Sequence, residues 1–249
     1  MSLPRVKERF DRIDILRALA MVWMTVYHFC YDLDYFGLIE QDIFGDPFWT
    51  TQRTIILGTF LFTAGLSQAV ALEQGQGWAR FWRRWWQVAG AAMLVTLATM
   101  VMFPRSFIFF GVLHGIAVML IVVRLTAHWG QWLWLAGAGC VAAARYAPLA
   151  LENSSWRDLF DGPMLNWLGW VTHKPVTEDY VPLLPWLAAI WWGMAAGQWI
   201  LRHQPQWLGG QGAGSITSPL AVMGRWSLTY YLLHQPIMIG CLWLGLQLS

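Results

Sequence analysis

Long apolar runs, broken by short polar stretches, set the pattern of this chain. Each run approaches the roughly twenty residues that a helix needs to cross the hydrocarbon core of a bilayer. The pattern predicts about seven spans, near 15–35, 53–72, 86–103, 107–125, 130–148, 183–201 and 222–246. The fifth is rich in Gly and Ala, which suits close packing against other helices better than contact with lipid. The expected fold class is all-α: a polytopic transmembrane helical bundle, read as one integral-membrane domain over 1–249. The longest segment between spans, 149–182, exceeds what a connection requires. It is expected to be an ordered external loop that serves as a lid or a wall of the site. The first run carries a basic arm but no small-residue cleavage site, so it reads as an uncleaved anchor.

Composition strengthens this picture. Of the 249 residues, 57% are hydrophobic and 12% charged, whereas soluble domains carry about 25% charged residues. Basic and acidic residues collect at opposite ends of the runs. Arg5, Lys7, Arg9, Arg12 and Arg17 lie on the N-terminal side, and Arg80, Arg83 and Arg84 follow the second run. Arg124, Arg202 and Arg225 complete the basic side. Asp32, Asp34, Glu40, Asp42 and Asp46, then Glu152, Asp158, Asp161, Glu178 and Asp179, mark the other. The positive-inside rule then puts the N-terminus in the cytoplasm and the C-terminus outside. A net charge of +2 gives no ground for a nucleic-acid partner. Cys30, Cys140 and Cys241 all fall in apolar runs. Their odd count and spacing argue against a disulfide framework and a zinc site, and no metal is expected. Most of the Trp clusters fit interfacial belts.

Against this apolar background the first run carries a polar stripe. Arg17 and His28 are eleven positions apart, and eleven steps of about 100° return nearly to the same helix face. Asp14 lies one turn below Arg17, and Asp32 one turn above His28. Arg17 and His28 are then roughly 16 Å apart along the axis. Ionisable groups at membrane depth point to function. Arg17 has two readings: an anchor paired with Asp14, or a grip on phosphate that Arg80, Arg83, Arg84 and Arg225 extend. Asp32 is either solvated or bonded to His28, fixing its tautomer. Two more histidines fall within runs: His114, about two turns into the fourth, and His234 near the middle of the seventh. Each is either a satisfied buried imidazole or part of a site. Pro236, two residues after His234, should loosen that helix. His128, His173 and His203 read as solvated loop residues. The stripe fits coenzyme A in form: a charged head at the cytoplasmic mouth, a thin arm along the face, and a thioester at the depth of His28. A neutral imidazole there could take a proton from an acceptor.

The segment Arg12-Ile-Asp14-x-Leu-Arg17-Ala-Leu-Ala, with His28 beyond it, resembles the opening of membrane acyltransferases that modify bacterial surface polysaccharides. Further motifs resemble a narrower group, the bacterial relatives of the heparan-alpha-glucosaminide N-acetyltransferase catalytic domain. They are His28-Phe-x-Tyr31-Asp32-Leu-x-Tyr35-Phe36-Gly37, Phe60-Leu-Phe-x-x-Gly65-x-Ser67, and Phe107-Ile-x-Phe-Gly111-x-Leu-His114. Asp179-Tyr180-x-Pro182-Leu-x-Pro185-Trp186 and Gly224-Arg225-x-Ser227-Leu-x-x-Tyr231-Leu-x-His234-Gln235-Pro236 follow. The resemblance implies a membrane-bound acetyltransferase in the bacterial inner membrane, with acetyl-CoA as donor. The acceptor would be an amine or hydroxyl on a carbohydrate or other small molecule. It makes His28, Asp32 and His114 candidate catalytic residues. Arg17, Asp179, Tyr180, Arg225, His234 and Gln235 become candidate substrate-binding residues. The lysosomal member carries its proposed catalytic His in the loop after the first span, where this chain has none; either His28 takes that role or the activity is absent. Oligomeric state stays open. Two other classes stay open as well: a transporter or binding protein for a small anion or acylated sugar, and a haem-binding electron-transfer protein using the intramembrane histidines.

Overall fold

A computed structural model describes residues 10–208 and 219–248; Arg5, Lys7 and Arg9 of the basic arm lie outside the described residues. Among the described residues the regular elements are helices: α1 (Asp11–Tyr35), α2 (Pro47–Glu73), α3 (Trp78–Met102), α4 (Val112–Thr126), α5 (Trp132–Leu151), α6 (Arg157–Asp161), α7 (Leu183–His203), α8 (Pro219–Arg225) and α9 (Ser227–Leu248). Among the described residues, five stretches are long and apolar enough to cross a membrane: Asp11–Tyr35, Pro47–Glu73, Trp78–Met102, Val112–Trp129 and Trp132–Leu151. α7 and α9 have the length but not the sustained apolarity. Trp186, Trp191, Trp192 and Gln198 dilute α7, and Tyr230, Tyr231, His234 and Gln235 dilute α9. Many large apolar side chains point outward, among them Leu94, Leu97, Val101 and Trp86 on α3. Such a surface suits lipid and not water.

The helices overrun the apolar segments that predicted them. α3 begins at Trp78 rather than near 86 because Arg80, Arg83 and Arg84 are good helix formers; polarity ends a span but not a helix. α1 stops where Gly37 takes φ +69, a left-handed conformation open to Gly. There the Gly37 N–H donates to the Asp34 carbonyl (2.9 Å) and the Leu38 N–H to the Leu33 carbonyl (2.9 Å), which closes the helix end.

The chain divides into two compact units. One comprises Met1–Phe60 with Gln204–Ser249, the other Leu61–His203. In the first, α1 packs against α8 and α9. A core of Met24, Tyr27, Ile43 and Ile56 is flanked by Tyr31, Trp49, Phe60, Tyr230 and Tyr231. In the second, α5 packs on α7, and α4 on α3 and α7. The α2 residues of this unit meet α7 through small side chains. A Cβ on Gly193 would lie 2.0 Å from the Phe62 carbonyl oxygen, and one on Gly65 2.1 Å from that of Ile190. Only glycine lets the two backbones come this close, the packing mode expected where lipid gives no hydrophobic drive.

The segment 149–182 is ordered. Its last part lies along residues 106–112: Glu178 N–H donates to the Ser106 carbonyl (2.8 Å) and Val181 N–H to that of Phe110 (3.0 Å). Further back, Asp161 accepts from both the Thr172 N–H (2.7 Å) and the Thr172 hydroxyl (2.6 Å). Burial opposes the Asp161 charge, but these bonds, with His173 and Arg157 nearby, hold its carboxyl below the usual range. The Tyr180 hydroxyl donates to the Asn166 carbonyl (2.5 Å). Burial, reinforced by the Asp161 charge, pushes that phenol up to about 12, so it stays a donor.

Gly193→Val should lower the unfolding midpoint in detergent, the overpacking costing about 1–3 kcal/mol or more. For Asp161, a lowered folded pKa means that its stabilising contribution is present above the ordinary carboxylate range. That contribution is lost as pH falls through the lowered value. Limited proteolysis of 149–182 should therefore stay slow from neutral pH down to mildly acidic conditions and quicken below them. Asp161→Asn should show the faster cleavage already at neutral pH.

Candidate functional site

In the unit built from α1, α8 and α9, the polar stripe of α1 resolves into two separate constellations. The lower one is a clamp. The Arg17 guanidinium donates from Nη1 to Asp14 Oδ1 (2.8 Å) and to the Gly224 carbonyl (3.1 Å). Arg225 Nη2 lies 3.5 Å from Asp11 Oδ1, and its Nε 3.9 Å from Asp14 Oδ2. Asp11 is buried. Two carboxylates thus face two guanidiniums where α1 meets α8, and the charges balance. Gly224 permits the contact, since a Cβ there would lie 1.9 Å from the Asp14 carbonyl oxygen. Of the two readings open for Arg17, the pairing with Asp14 is present in the structure, and a second bond to the backbone of α8 adds to it.

The upper constellation centres on two imidazoles. His28 Nδ1 and His234 Nε2 are 2.8 Å apart, with their rings within 14° of parallel. His234 Nδ1 lies 2.7 Å from the Tyr231 carbonyl. A carbonyl can only accept, so the Nδ1 of His234 carries the proton and donates. In a neutral His234 the Nε2 is then a lone pair, which must accept from the Nδ1–H of His28. The proton of neutral His28 therefore sits on Nδ1, and its Nε2 is left as a lone pair. As whole residues, His234 is buried and His28 half-buried. Tyr230 stacks on His234 at 5.9 Å, and its hydroxyl lies 2.6 Å from Thr25 Oγ1. The Thr25 hydroxyl donates to the Met21 carbonyl (2.8 Å), so the phenol is the donor in that pair.

Asp32 departs from expectation. It is 1% exposed, and its Oδ1 accepts from Gln235 Nε2 (2.5 Å). The partner of its carboxylate is Gln235 on α9 and not His28. One turn separates Asp32 from His28 on α1, but the imidazole turns across to α9 instead. Asp32 Oδ2 and Gln235 Oε1 are buried without a hydrogen-bond partner.

His114, Asp179 and Tyr180 belong to the other unit. His114 is not two turns deep but in the first turn of α4, because 107–110 is not helical and the helix opens only after Gly111. The Gly111 N–H donates to His114 Nδ1 (3.3 Å). The Thr96 hydroxyl donates to the Ile108 carbonyl (2.7 Å), so His114 Nε2 supplies the proton in its 3.0 Å contact with Thr96 Oγ1. Both nitrogens are thus committed to holding the 107–111 segment against α3. Asp179 Oδ2 accepts the Val112 N–H (2.7 Å) and caps α4, while Tyr180 is tied to Asn166. Asp179 and Tyr180 thus anchor the 149–182 segment, and His114 anchors the 107–111 segment.

Sequence reasoning missed Thr25, Tyr230 and Thr96. Thr25 was legible in part, since it sits three residues before His28 on α1. The pairing of Tyr230 across helices had no signal in a single chain. Among the described residues no group of three or more His, Cys, Asp or Glu could hold a metal ion, and Cys30, Cys140 and Cys241 are free thiols.

The family model for heparan-alpha-glucosaminide N-acetyltransferase, catalytic, matches residues 9–236. The chain belongs to that family, and with it to the membrane acetyltransferases. No curated protein and no solved structure matches it. The match spans both the clamp and the imidazole pair. If the clamp is structural, Arg17→Gln should lower the unfolding midpoint, with about 1–3 kcal/mol lost with the charged hydrogen bonds. Thermal unfolding of the purified protein in detergent measures it; an unchanged midpoint would free Arg17 for a ligand.

Proposed function

We propose that this family member transfers an acetyl group from acetyl-CoA to an amine or hydroxyl on an amino sugar or envelope glycan, with His28 as general base. The observation that carries this reading is the tautomer chain from the Tyr231 carbonyl through His234 to His28. It leaves a nitrogen lone pair on a ring whose orientation is fixed. The acceptor N–H or O–H gives its proton to His28 Nε2 while its lone pair attacks the thioester carbonyl carbon. The tetrahedral intermediate collapses, the C–S bond breaks, and the imidazolium returns the proton to the departing thiolate. When Nε2 is protonated, the Nδ1–H bond to His234 strengthens and spreads the charge.

Other residues divide by what they touch. His234 positions His28. Asp32, whose Oδ2 is buried without a partner, offers an acceptor oxygen one turn beyond His28 to the incoming amine or hydroxyl. Gln235 holds that carboxylate. Arg17 and Arg225 keep α1 and α8 together rather than gripping the donor. In the other unit, His114, Asp179 and Tyr180 hold the 107–112 and 149–182 segments in place. Seven spans, with α7 and α9 included and the N-terminus in the cytoplasm of a bacterial inner membrane, fit this chemistry. The donor is made inside and the glycan lies outside.

Purified protein with labelled acetyl-CoA and a panel of amine and hydroxyl acceptors tests the reading. His28→Ala should cut turnover by about 10²–10⁴-fold, the usual range for a positioned base. His234→Gln keeps an oxygen that can accept from His28 Nδ1 and should lose far less than His234→Leu. Full turnover by His28→Ala would overturn the assignment.

A further inference from the structure

A second, unrelated feature lies where α2 ends and α3 begins. Arg124, in the last turn of α4, is 7% exposed. Its Nη2 donates to the Gln76 carbonyl. Its guanidinium carbon sits 5.3 Å from the Trp78 ring centre and 5.4 Å from that of Phe81. Its Nη1 is buried without a hydrogen-bond partner, and the side-chain oxygen of Gln76 is buried and unpartnered too. Among the described residues no carboxylate makes an ion pair with Arg124. The carbonyl, the ring faces and the helix C-terminus offer partial charge to this cation, but nothing neutralises it. A buried guanidinium without a counter-ion is costly, whereas an anion on the unbonded nitrogen would turn that cost into a charge-assisted bond. Arg80, Arg83 and Arg84 are exposed within the first two turns of α3, the same turns that carry Trp78 and Phe81. They make the approach cationic, and the first turn of α3 has no acidic residue.

We propose that Arg124, set between Trp78 and Phe81 and bonded to Gln76, is a phosphate-binding site. Phosphate suits it better than a carboxylate ligand, because three flanking arginines call for an anion of more than one charge. That phosphate can come from the 3′-phosphate or diphosphate of a coenzyme A donor, or from a lipid headgroup at the membrane surface. The donor source rests on the acetyl-CoA reading above; the phosphate chemistry does not.

The experiment uses the full chain in a phosphate-free maltoside detergent and reads thermal unfolding. Adenosine 3′,5′-bisphosphate should raise the midpoint of the wild type and not that of Arg124→Gln if the donor is the source. Added phosphatidic acid, whose headgroup is a phosphomonoester, should do so if the lipid is. A rise in the wild type with either probe, absent in Arg124→Gln, supports the site. No rise with either, or an equal rise in both proteins, overturns it. Arg124→Lys keeps the charge but not the fork, and should fold while losing most of the probe effect; it serves if Arg124→Gln does not fold. Turnover gives an independent reading of the donor source. The KM for acetyl-CoA should rise about tenfold or more in the variant, with no change for acetyl-pantetheine, which lacks the nucleotide phosphates. Wild-type protein that binds the bisphosphate but transfers no acetyl group would sink the enzyme reading and leave this site standing.

Discussion

The hydrogen bond between His28 and His234 organises the unit in which it sits. A polar ring inside an apolar bundle must bring its partner with it, because no water is there to serve as one. His28 finds that partner on α9, and α9 finds its own in the Tyr231 carbonyl one turn back. The bond therefore holds α1 against α9, sets the tautomer of both rings, and decides which nitrogen keeps a free lone pair. Thr25 with Tyr230, and Asp32 with Gln235, repeat the same solution one turn below and one turn above. Three side-chain pairs join the two helices along one face. Packing and the proposed chemistry are carried by the same atoms.

The same accounting separates the charges by role. At the Arg17 level two guanidiniums meet two carboxylates, and the charges balance within the protein. Asp32 and Arg124 are different. Each is buried, and each keeps one polar atom without a partner. A buried polar group left unpaired is costly in a folded chain, and it persists where something else completes it. The proposed acceptor contact and the proposed phosphate contact both rest on this difference, at two separate places in the fold.

Much of this was legible in the sequence. Apolar runs announced the helices, and the eleven-position spacing put Arg17 and His28 on one face of α1. The motifs along the chain pointed to the family before any fold was seen, and the match over 9–236 bears that out. Helix ends were less legible. α3 begins in a stretch of Trp and Arg that hydropathy excludes but helix propensity favours. α4 begins late because the residues before it pair with the 177–181 segment, about seventy positions away.

What sequence determined alone was local: period, spacing, and which residue types stand at membrane depth. Those follow from the geometry of a single helix, which repeats whatever its neighbours do. What the tertiary structure decided was partnership. His28 could have turned to Asp32 on its own helix, four residues away, yet it meets a ring 206 residues on. His114 could have faced a substrate, yet both its nitrogens are taken by Thr96 and Gly111. A side chain's partner depends on which helix arrives opposite it and at what height. No periodicity within one segment carries that information.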